Sequence, residues 1–518
     1  MRRLPYSYFQ FAAPPAADER AIRAPPGRAG RRDTAPVAYD RVAVIRAHAS
    51  NGEPQTRTRS TEEGLASSFA TPQLTGRSTP VYLLVTVMLA TALWLRLPAL
   101  FTDFAFGDGG LFWVMANDLR ENGFLPPVTT SYNTGDIPWV YPPLGIYLAA
   151  VLGGGLEWFR ILPALFAVAT LPAVWLLARA LIGDRGALVA VIAYGVSEPA
   201  YVGLIAGGGV TRGPGLLLAV LTMWAVVRGH VLRAGLLGGL TLLAHPIAAL
   251  YALLASTVLW ATRGAQPRML VAPLIALAIG GLWFVPMILR HGVEPFLTGL
   301  GSREFDLVGN LVTLLAGALN PPNLAFTVGA IGIVVAAYRR RWDLLAWLAV
   351  SALGVAVVDR WVVIPLAILA GLAVDGALTR PAQLRSAALL TVAVVVAITG
   401  VFLARPAEML TSEERAVMAW AASETPADAT FAVIGYPADR GMVDWFPALS
   451  QRENVTTWQG SEWVPEGYRR KEATEAARCR TLECLPDADY YVLRPGCCVE
   501  IAAELILIRP SVFERKDR

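Results

Sequence analysis

Apolar and polar positions divide this chain into three parts. Residues 1–79 carry no sustained apolar period. From Val81 to about residue 404, long apolar stretches alternate with short polar hairpins. They fall at 81–100, 142–156, 158–181, 186–205, 214–228, 234–260, 269–289, 323–338, 343–358, 361–379 and 386–404, with a weaker run at 307–318. A stretch of about 20 apolar residues crosses a hydrocarbon core of about 30 Å, so the pattern predicts a mainly α, polytopic bundle of about 10–13 membrane helices. Beyond residue 405 the pattern becomes mixed. Ser412–Ala422 reads as a helix capped by Thr411 or Ser412, with Glu413 and Glu414 in its first turn. Thr430–Ile434, Tyr490–Leu493 and Leu505–Ile508 read as strands. The expected organisation is a disordered tail (1–79), a transmembrane domain (80–404) and a small α/β domain (405–518).

Composition removes the soluble alternative. A soluble chain of 518 residues would make roughly three domains of about 150 residues. Here 55% of residues are hydrophobic and 16% charged, against about 25% charged in ordinary globular proteins. Charge is also polarised: residues 1–80 hold 12 Arg and 7 acids, whereas residues 404–518 hold 14 Lys and Arg and 19 acids. The Arg-rich tail ahead of the first span places it in the cytoplasm. Its aromatic residues are not interleaved as stacking platforms would be, which argues against nucleic acid as a partner.

The basic hairpins at Arg179/Arg185, Arg228/Arg233, Arg263/Arg268, Arg339–Arg341 and Arg380/Arg385 all face the cytoplasm if two stretches fail to cross. Stretch 142–156 reaches only about 22 Å as a helix. Stretch 234–260 is interrupted at His245-Pro246, where proline removes a helical hydrogen bond. This arrangement predicts a multi-pass protein of the plasma (inner) membrane. Loop 101–141, the Gly207–Arg212 turn, loop 290–322, Asp359-Arg360 and the C-terminal domain then share the outer face.

All four cysteines, Cys479, Cys484, Cys497 and Cys498, lie in the last 40 residues. Four cysteines allow three pairings. Joining Cys497 to Cys498 requires a strained eight-membered ring, so the expectation is two bridges from Cys479 and Cys484 to Cys497 and Cys498. Four thiolates are also a zinc donor set, but adjacent cysteines suit it poorly. Disulfides belong outside the cytoplasm.

No Gly-rich phosphate loop, zinc-protease helix, nucleophile elbow or dinucleotide fingerprint is present. Gly207-Gly208-Gly209 lacks the Lys-Ser/Thr of a phosphate-binding loop, and four histidines are too few for a His-rich metal site. The informative segment is the first outer loop, LWLRLPALFTDFAFGDGGLFWVMANDLRENGFLPP, followed after a spacer by WVYPPLGIYLAA. Arg96 closes the first span and Asp108 follows it. Leu111, Val114, Met115 and Leu119 then share one helical face opposite Asn117, Asp118 and Glu121. Such a helix lies along the membrane interface. Tyr141-Pro142-Pro143-Leu144 opens the next membrane segment.

This arrangement resembles the GT-C-fold membrane glycosyltransferases that use polyprenyl-phosphate sugars, including protein O-mannosyltransferases and the aminoarabinose transferases of lipid A. Those enzymes show Arg-Leu at the end of the first span, an Asp-Glu pair in the first outer loop, juxtamembrane helices and a Pro-Pro-Leu opening. Arg160-Ile161-Leu162-Pro163 echoes a later Arg-Leu-Pro start, Leu243-Ala244-His245-Pro246 sits at a family helix break, and TSEERAVMAW…TP…WFPALSQR is similar to tails of bacterial members. One position departs: Asp108 is followed by Gly109-Gly110 where the family commonly has Asp-Glu.

The resemblance implies inverting transfer of a sugar from a polyprenyl-phosphate donor to a lipid, glycan or protein acceptor. A carboxylate takes the acceptor proton, and cations stabilise the departing phosphate. Asp108 is the candidate catalytic residue, and Arg96, Arg160, Arg212, Tyr141, His245 and Arg360 are candidate substrate-binding residues. No cofactor is demanded, and a divalent metal stays open. Each candidate also has an ordinary structural role. Asp108 suits a helix cap, Arg96 an interfacial anchor, His245 a satisfied helix break, Asp359-Arg360 a local ion pair, and Trp113, Trp139 and Tyr141 an aromatic belt. Asp103 and Asp136 read as solvated loop acids. The rival functions are a polysaccharide polymerase or O-antigen ligase, a lipid-linked sugar flippase or transporter, and a catalytically silent relative. Ionisable residues deep in the spans would mark a transporter, and here charges cluster at span ends.

Overall fold

The computed structural model describes residues 79–135, 137–301, 323–353, 358–377, 409–436, 441–464, 470–479 and 481–514, together with 308, 312, 314 and 315. The expected tail, most of the run at 307–318 and the span at 386–404 lie outside the described residues. The helical part begins with α1 (Thr79–Trp94), the amphipathic α2 (Gly110–Glu121) and the short α3 (Leu144–Val151). It continues through α4 (Trp158–Val196), α5 (Val202–Ile205), α6 (Gly209–Val227), α7 (Val231–Ala244), α8 (Pro246–Thr262), α9 (Val271–His291) and α10 (Glu294–Gly301). Helices α11 (Leu324–Tyr338), α12 (Trp342–Leu353) and α13 (Val358–Ala377) complete it.

Among the described residues, three helical segments are long and apolar enough to cross a membrane: Trp158–Val196, Gly209–Val227 and Pro267–His291. Shorter apolar helices pack beside them. The protein is therefore a helical membrane protein. The stretches read at 158–181 and 186–205 begin as two helical arms of α4 that turn back on each other at the non-helical Gly183 (φ 82°), close enough for Arg96 to bond both the Ala167 and the Gly195 carbonyls. Arg179 and Asp184 pair across that break at 2.5 Å. Stretch 142–156 forms only the eight residues of α3, about 12 Å of helix. Stretch 234–260 divides at His245-Pro246 into α7 and α8.

The C-terminal part is built from local signals. Helix α14 (Ser412–Glu424) is capped by Thr411, whose hydroxyl accepts from the Glu414 N–H while the Glu414 carboxylate accepts from the Thr411 N–H. This is the reciprocal capping box. Helices α15 (Gly441–Ser450), α16 (Arg470–Ala477) and α17 (Val499–Glu504) follow. Strands β1 (Thr430–Ile434), β2 (Glu453–Asn454), β3 (Tyr490–Leu493), β4 (Ile506–Arg509) and β5 (Val512–Glu514) form one sheet in the order β2-β1-β3-β5-β4. β1 pairs in parallel with β2 and β3, while β5 is antiparallel to both β3 and β4. Phe431, Val433 and Val492 of the sheet share a core with Val417 and Met418 of α14, Trp445 and Phe446 of α15, and Leu111 and Met115 of α2. That shared core fixes the α/β part against the first loop.

The cysteine pairing corrects the expectation. The bonds join Cys479 to Cys484 and Cys497 to Cys498. The 3-10 turn Leu482–Cys484 folds Cys484 back towards Cys479, with 5.5 Å between Cα atoms. The ring argument assumed ordinary backbone at the adjacent pair. Instead Gly496 (φ 74°) and Cys498 (φ 58°) are left-handed, and the turn they form accommodates the vicinal bond.

Candidate active site

The site is a strap of backbone, Phe106–Gly110, held between the α5–α6 turn and the C-terminal part. Phe106 bridges Ala206 on one side and Met409 on the other. The Gly207 N–H donates to the Phe106 carbonyl at 2.8 Å, and the Gly208 N–H to the Asp108 carbonyl at 3.1 Å. The three successive glycines are explained by this approach, because a Cβ on Gly207 would overlap the Asp108 carbonyl and one on Gly209 the Leu204 carbonyl.

At the centre of the strap, Asp108 receives both terminal nitrogens of Arg212. Nη1 lies 2.8 Å from Oδ2 and Nη2 lies 2.7 Å from Oδ1. Oδ1 also accepts from the Gly208 N–H at 3.1 Å. Arg212 stands in the first turn of α6, so a helix start delivers the cation to the carboxylate. Burial alone would raise the Asp108 pKa. The Arg212 guanidinium, the Gly208 N–H and the more distant Arg360 outweigh it and hold the carboxyl below its ordinary value. The Arg212 Nε is buried and, among the described residues, has no hydrogen-bond partner.

A second carboxylate enters from the other end of the chain. Asp444, in the first turn of α15, is 2% exposed. Its Oδ2 accepts the N–H groups of Gly109 at 2.6 Å and Gly110 at 2.9 Å. Asp444 rather than Asp108 therefore satisfies the start of α2. The Tyr132 hydroxyl lies 2.7 Å from the Asp444 carbonyl and 3.1 Å from Oδ1, and donates to them. Next to it, Trp445 Nε1 donates to the Gly107 carbonyl at 2.9 Å. The Trp445 ring packs against Phe104, Trp113 and Phe159 at 4.9, 6.2 and 6.5 Å between centroids. Burial, then the nearby Asp108 charge, push Asp444 up to about 7 against the pull of the two glycine N–H groups and Tyr132.

The departure at Gly109-Gly110 now has a physical account. A Cβ on Gly110 would overlap the Asp444 carbonyl oxygen. Gly109 adopts φ 139°, and its Cβ would stand 3.0 Å from the Gly207 Cα and 3.1 Å from the Trp445 ring. Side chains are excluded where the α15 backbone presses on the strap. The sequence reading missed Asp444. The signal for it was the missing acid itself, together with an Asp directly ahead of the WFPALSQR segment.

The other candidates separate into those near Asp108 and those with structural partners. Arg360, at the start of α13, lies against Gly203 of α5 and acts on Asp108 electrostatically. The Tyr141 ring sits between Phe112 and Trp463, at 4.8 and 5.2 Å. Arg160 bonds through Nη1 to the Thr102 carbonyl, tying α4 to the loop. Arg96 is 0% exposed. It donates to the carbonyls of Ala167, Ala92 and Gly195 at 3.0, 2.8 and 2.6 Å, with Tyr194 and Tyr201 against its guanidinium. It is a knot between α1 and α4 rather than a group facing lipid.

His245 caps α8, its Nδ1 accepting from the Ala248 N–H at 3.3 Å, which is the helix-break role. Asp103 pairs with Arg415 of α14 at 2.6 Å. Asp136 and the Asp359 side chain lie outside what is described. The donor set does not suit a divalent metal, since Arg212 already neutralises Asp108 and Asp444 is turned to amide N–H groups. Among the described residues, no three His, Cys, Asp or Glu side chains lie together as a metal site.

No family model matches the chain, and no curated protein does. Solved structures do. ArnT from Cupriavidus metallidurans, bound to undecaprenyl phosphate, superposes with a TM-score of 0.54 at 15% identity, over 84% of this chain and 98% of that one. The archaeal oligosaccharyltransferase AglB from Archaeoglobus fulgidus, in complex with an inhibitory peptide and a dolichol-phosphate, superposes with a TM-score of 0.52 at 15% identity, over 80% of this chain and 69% of that one. A further Archaeoglobus fulgidus oligosaccharyltransferase structure, with Zn and sulfate, gives 0.51 at 16% identity, over 79% and 67%. The chain has the GT-C fold of these membrane glycosyltransferases.

Proposed function

We propose that this chain is a membrane glycosyltransferase that moves a sugar from a polyprenyl-phosphate carrier to an acceptor hydroxyl, and that the strap carrying Asp108 is its active site. The observation that carries this reading is the two-pronged, half-buried Asp108–Arg212 pair that ties the first outer loop of a GT-C fold to α6. Neighbours of that fold are bound to dolichol-phosphate and undecaprenyl phosphate, which supports a lipid-phosphate donor.

The chemistry follows from the pair. A glycosyl phosphate already carries a good leaving group, so no covalent enzyme intermediate is needed. The acceptor oxygen attacks the anomeric carbon, the bond to the phosphate oxygen breaks with its electrons, and the acceptor proton passes to Asp108, inverting the centre. At rest Asp108 is a weak base, because Arg212 stabilises its charged form. A donor phosphate drawing the guanidinium towards itself raises the proton affinity of Asp108 and places a cation on the leaving group. Donor binding thus arms the base. Arg360 is the second cation assigned to the phosphate, and Tyr141 borders the same space. The active face is the extracytoplasmic side of the plasma membrane, with the N-terminal tail in the cytoplasm and residues 405–518 forming the outer α/β domain.

Mass spectrometry of cellular glycans and glycoproteins tests the reading in a deletion strain complemented with wild type, Asp108→Asn or Asp103→Asn. Wild type and Asp103→Asn should restore one glycoconjugate class. Asp108→Asn should be expressed and fall by about 10²–10⁴-fold in transfer, the usual cost of losing a general base. Glycans unchanged by deletion would overturn the transferase reading, and an active Asp108→Asn would remove Asp108 as its base. A reporter active only in the cytoplasm should work when fused ahead of Val81 and fail after Pro406.

A further inference from the structure

We infer that Asp444 is a positioning residue for Asp108: its carboxylate, supplied by the C-terminal part, clamps the Gly109 and Gly110 N–H groups and so holds the strap in the register that meets Arg212 and Gly208. The catalytic consequence rests on the transferase reading, but the clamp itself does not.

Three observations converge on this assignment. The first is geometric: one carboxylate oxygen receives two consecutive backbone donors at 2.6 and 2.9 Å, directly after Asp108 in the chain. Charge-assisted bonds of this length are about twice as strong as neutral ones, and two donors from adjacent residues fix both position and orientation of the peptide. The second is steric. Gly107, Gly109 and Gly110 are all in close approach to α15. Trp445 Nε1 bonds the Gly107 carbonyl, a Cβ on Gly441 would stand 2.8 Å from that same oxygen, and Gly110 admits no Cβ at all beside Asp444. The third is continuity. The peptide that Asp444 holds at Gly109 is joined to Asp108, whose carbonyl and carboxylate both accept the Gly208 N–H at 3.1 Å. Releasing the clamp therefore frees the strap on the side opposite Arg212.

Among the described residues, the groups facing Asp444 are few. Asp108 and Arg212 lie across the strap and Tyr132 comes from the loop, with Glu462 acting on Tyr132. From α14, Val417 and Met418 join the apolar core around Trp445, and from β2 the Asn454 amide donates to the Val443 carbonyl at 3.1 Å. Among the described residues, the cation that acts on Asp444 is Arg212, which Asp108 also engages. The Asp444 carboxyl sits at about 7, so the clamp strengthens as it ionises near neutral pH.

The test uses the full-length protein in detergent micelles and compares wild type, Asp444→Asn, Asp444→Glu and Asp444→Ala. Amide hydrogen exchange, read by mass spectrometry at one fixed pH above 7, should show lost protection in the peptide covering 106–115 and also in the one covering 204–212 for Asn and Ala. Protection lost only in 106–115 would mean that Asp108 is not held through Asp444, and unchanged protection in both would remove the clamp. Neither outcome depends on any activity.

In complemented cells, Asn should keep the protein folded, because its amide oxygen can still face the Gly109 and Gly110 N–H groups, but without the charge and with an NH2 where Oδ1 accepts from Tyr132 it should lower transfer by about 100-fold, the scale of a misplacement of about 1 Å. Glu should recover part of that loss. The wild-type pH–rate profile should rise through about 7, and the Asn variant should lose that limb. Wild-type transfer by Asn with exchange altered would overturn the positioning role. Absence of transfer in wild type itself would sink the transferase reading and leave the exchange result standing.

Discussion

Arg212 and Asp108 stand 104 residues apart in the chain and meet through two parallel bonds of 2.7 and 2.8 Å. Their side chains are 21% and 18% exposed, so the pair is neither sealed in the core nor open to water. A planar guanidinium matches a carboxylate oxygen for oxygen, and the same fork matches a phosphate. That shared geometry is why one cation can hold the base at rest and the leaving group during transfer.

Arg212→Lys keeps the charge and removes the fork. The variant should fold, since lysine still pairs with Asp108, but a donor directed at developing phosphate charge is lost, worth about 10²–10³-fold in turnover. Because Asp108 is held below its ordinary value mainly by this guanidinium, the limb that Asp108 sets, on the acid side of the Asp444 rise near 7, should move to higher pH in the variant. A profile that stays in place with full turnover would show that the pair is only a structural tie.

Arg96 gives a contrasting expectation. Arg96→Leu leaves the carbonyls of Ala167 and Gly195 without this donor, and each buried unsatisfied group costs about 1–3 kcal/mol. The thermal midpoint in detergent should fall markedly, while the protein that remains folded should bind undecaprenyl phosphate as wild type does. A stable variant with weakened lipid-phosphate binding would instead return Arg96 to the donor site.

How far the sequence reached is visible in these two arginines and their neighbours. Helix α2 was legible because its signal is local: Leu111, Val114, Met115 and Leu119 recur at helical spacing, and all four are buried. The Thr411 cap, the His245-Pro246 break and the β1 and β3 strands were legible for the same reason. Arg96 looked like an interfacial anchor because its position at a span end is a sequence property, whereas its inward turn towards the Ala167 and Gly195 carbonyls is set by packing against α4. Asp444 was invisible because its bonds to Gly109 and Gly110 close loops of 335 and 334 residues, and no window along the chain brings those partners together. The cysteine pairing failed on a backbone state, the left-handed Cys498, that residue identity alone does not announce.

Stability against pH isolates Asp444. Its folded value of about 7 lies well above the ordinary carboxylate value of about 3.9. Between these values the folded protein holds a proton that the unfolded chain has released, so stability falls as pH rises through that window, and the penalty is complete above about 7. Asp444→Asn has no such proton to lose. The difference in thermal midpoint between variant and wild type should therefore shift in favour of the variant from pH 5 to pH 8. Asp108 contributes the opposite slope at lower pH in both proteins and drops out of the comparison. A pH-independent difference would mean that Asp444 ionises as an ordinary surface acid.

The sharpest distinction between sequence pattern and structure is at Gly109. Gly109→Glu recreates the Asp-Glu pair typical of the family the loop resembles, so a pattern-based reading expects activity to be kept or improved. The structure demands the reverse. Gly109 sits at φ 139°, a conformation that side-chain-bearing residues occupy only at a strain of order 1–3 kcal/mol. Its Cβ would press on the Gly207 backbone and the Trp445 ring, and the new carboxylate would stand beside Asp108 and Asp444, where Arg212 and the more distant Arg360 already answer two negative charges. The variant should lose thermal stability, lose amide protection across 106–115, and lose transfer to the level of Asp108→Asn. Gly109→Ala, which adds the Cβ without the charge, should show the steric part alone and fall between glutamate and wild type. A stable, active Gly109→Glu protein would mean that the strap adopts another path in the working enzyme, with the second acid restored to the loop and Asp444 free of it.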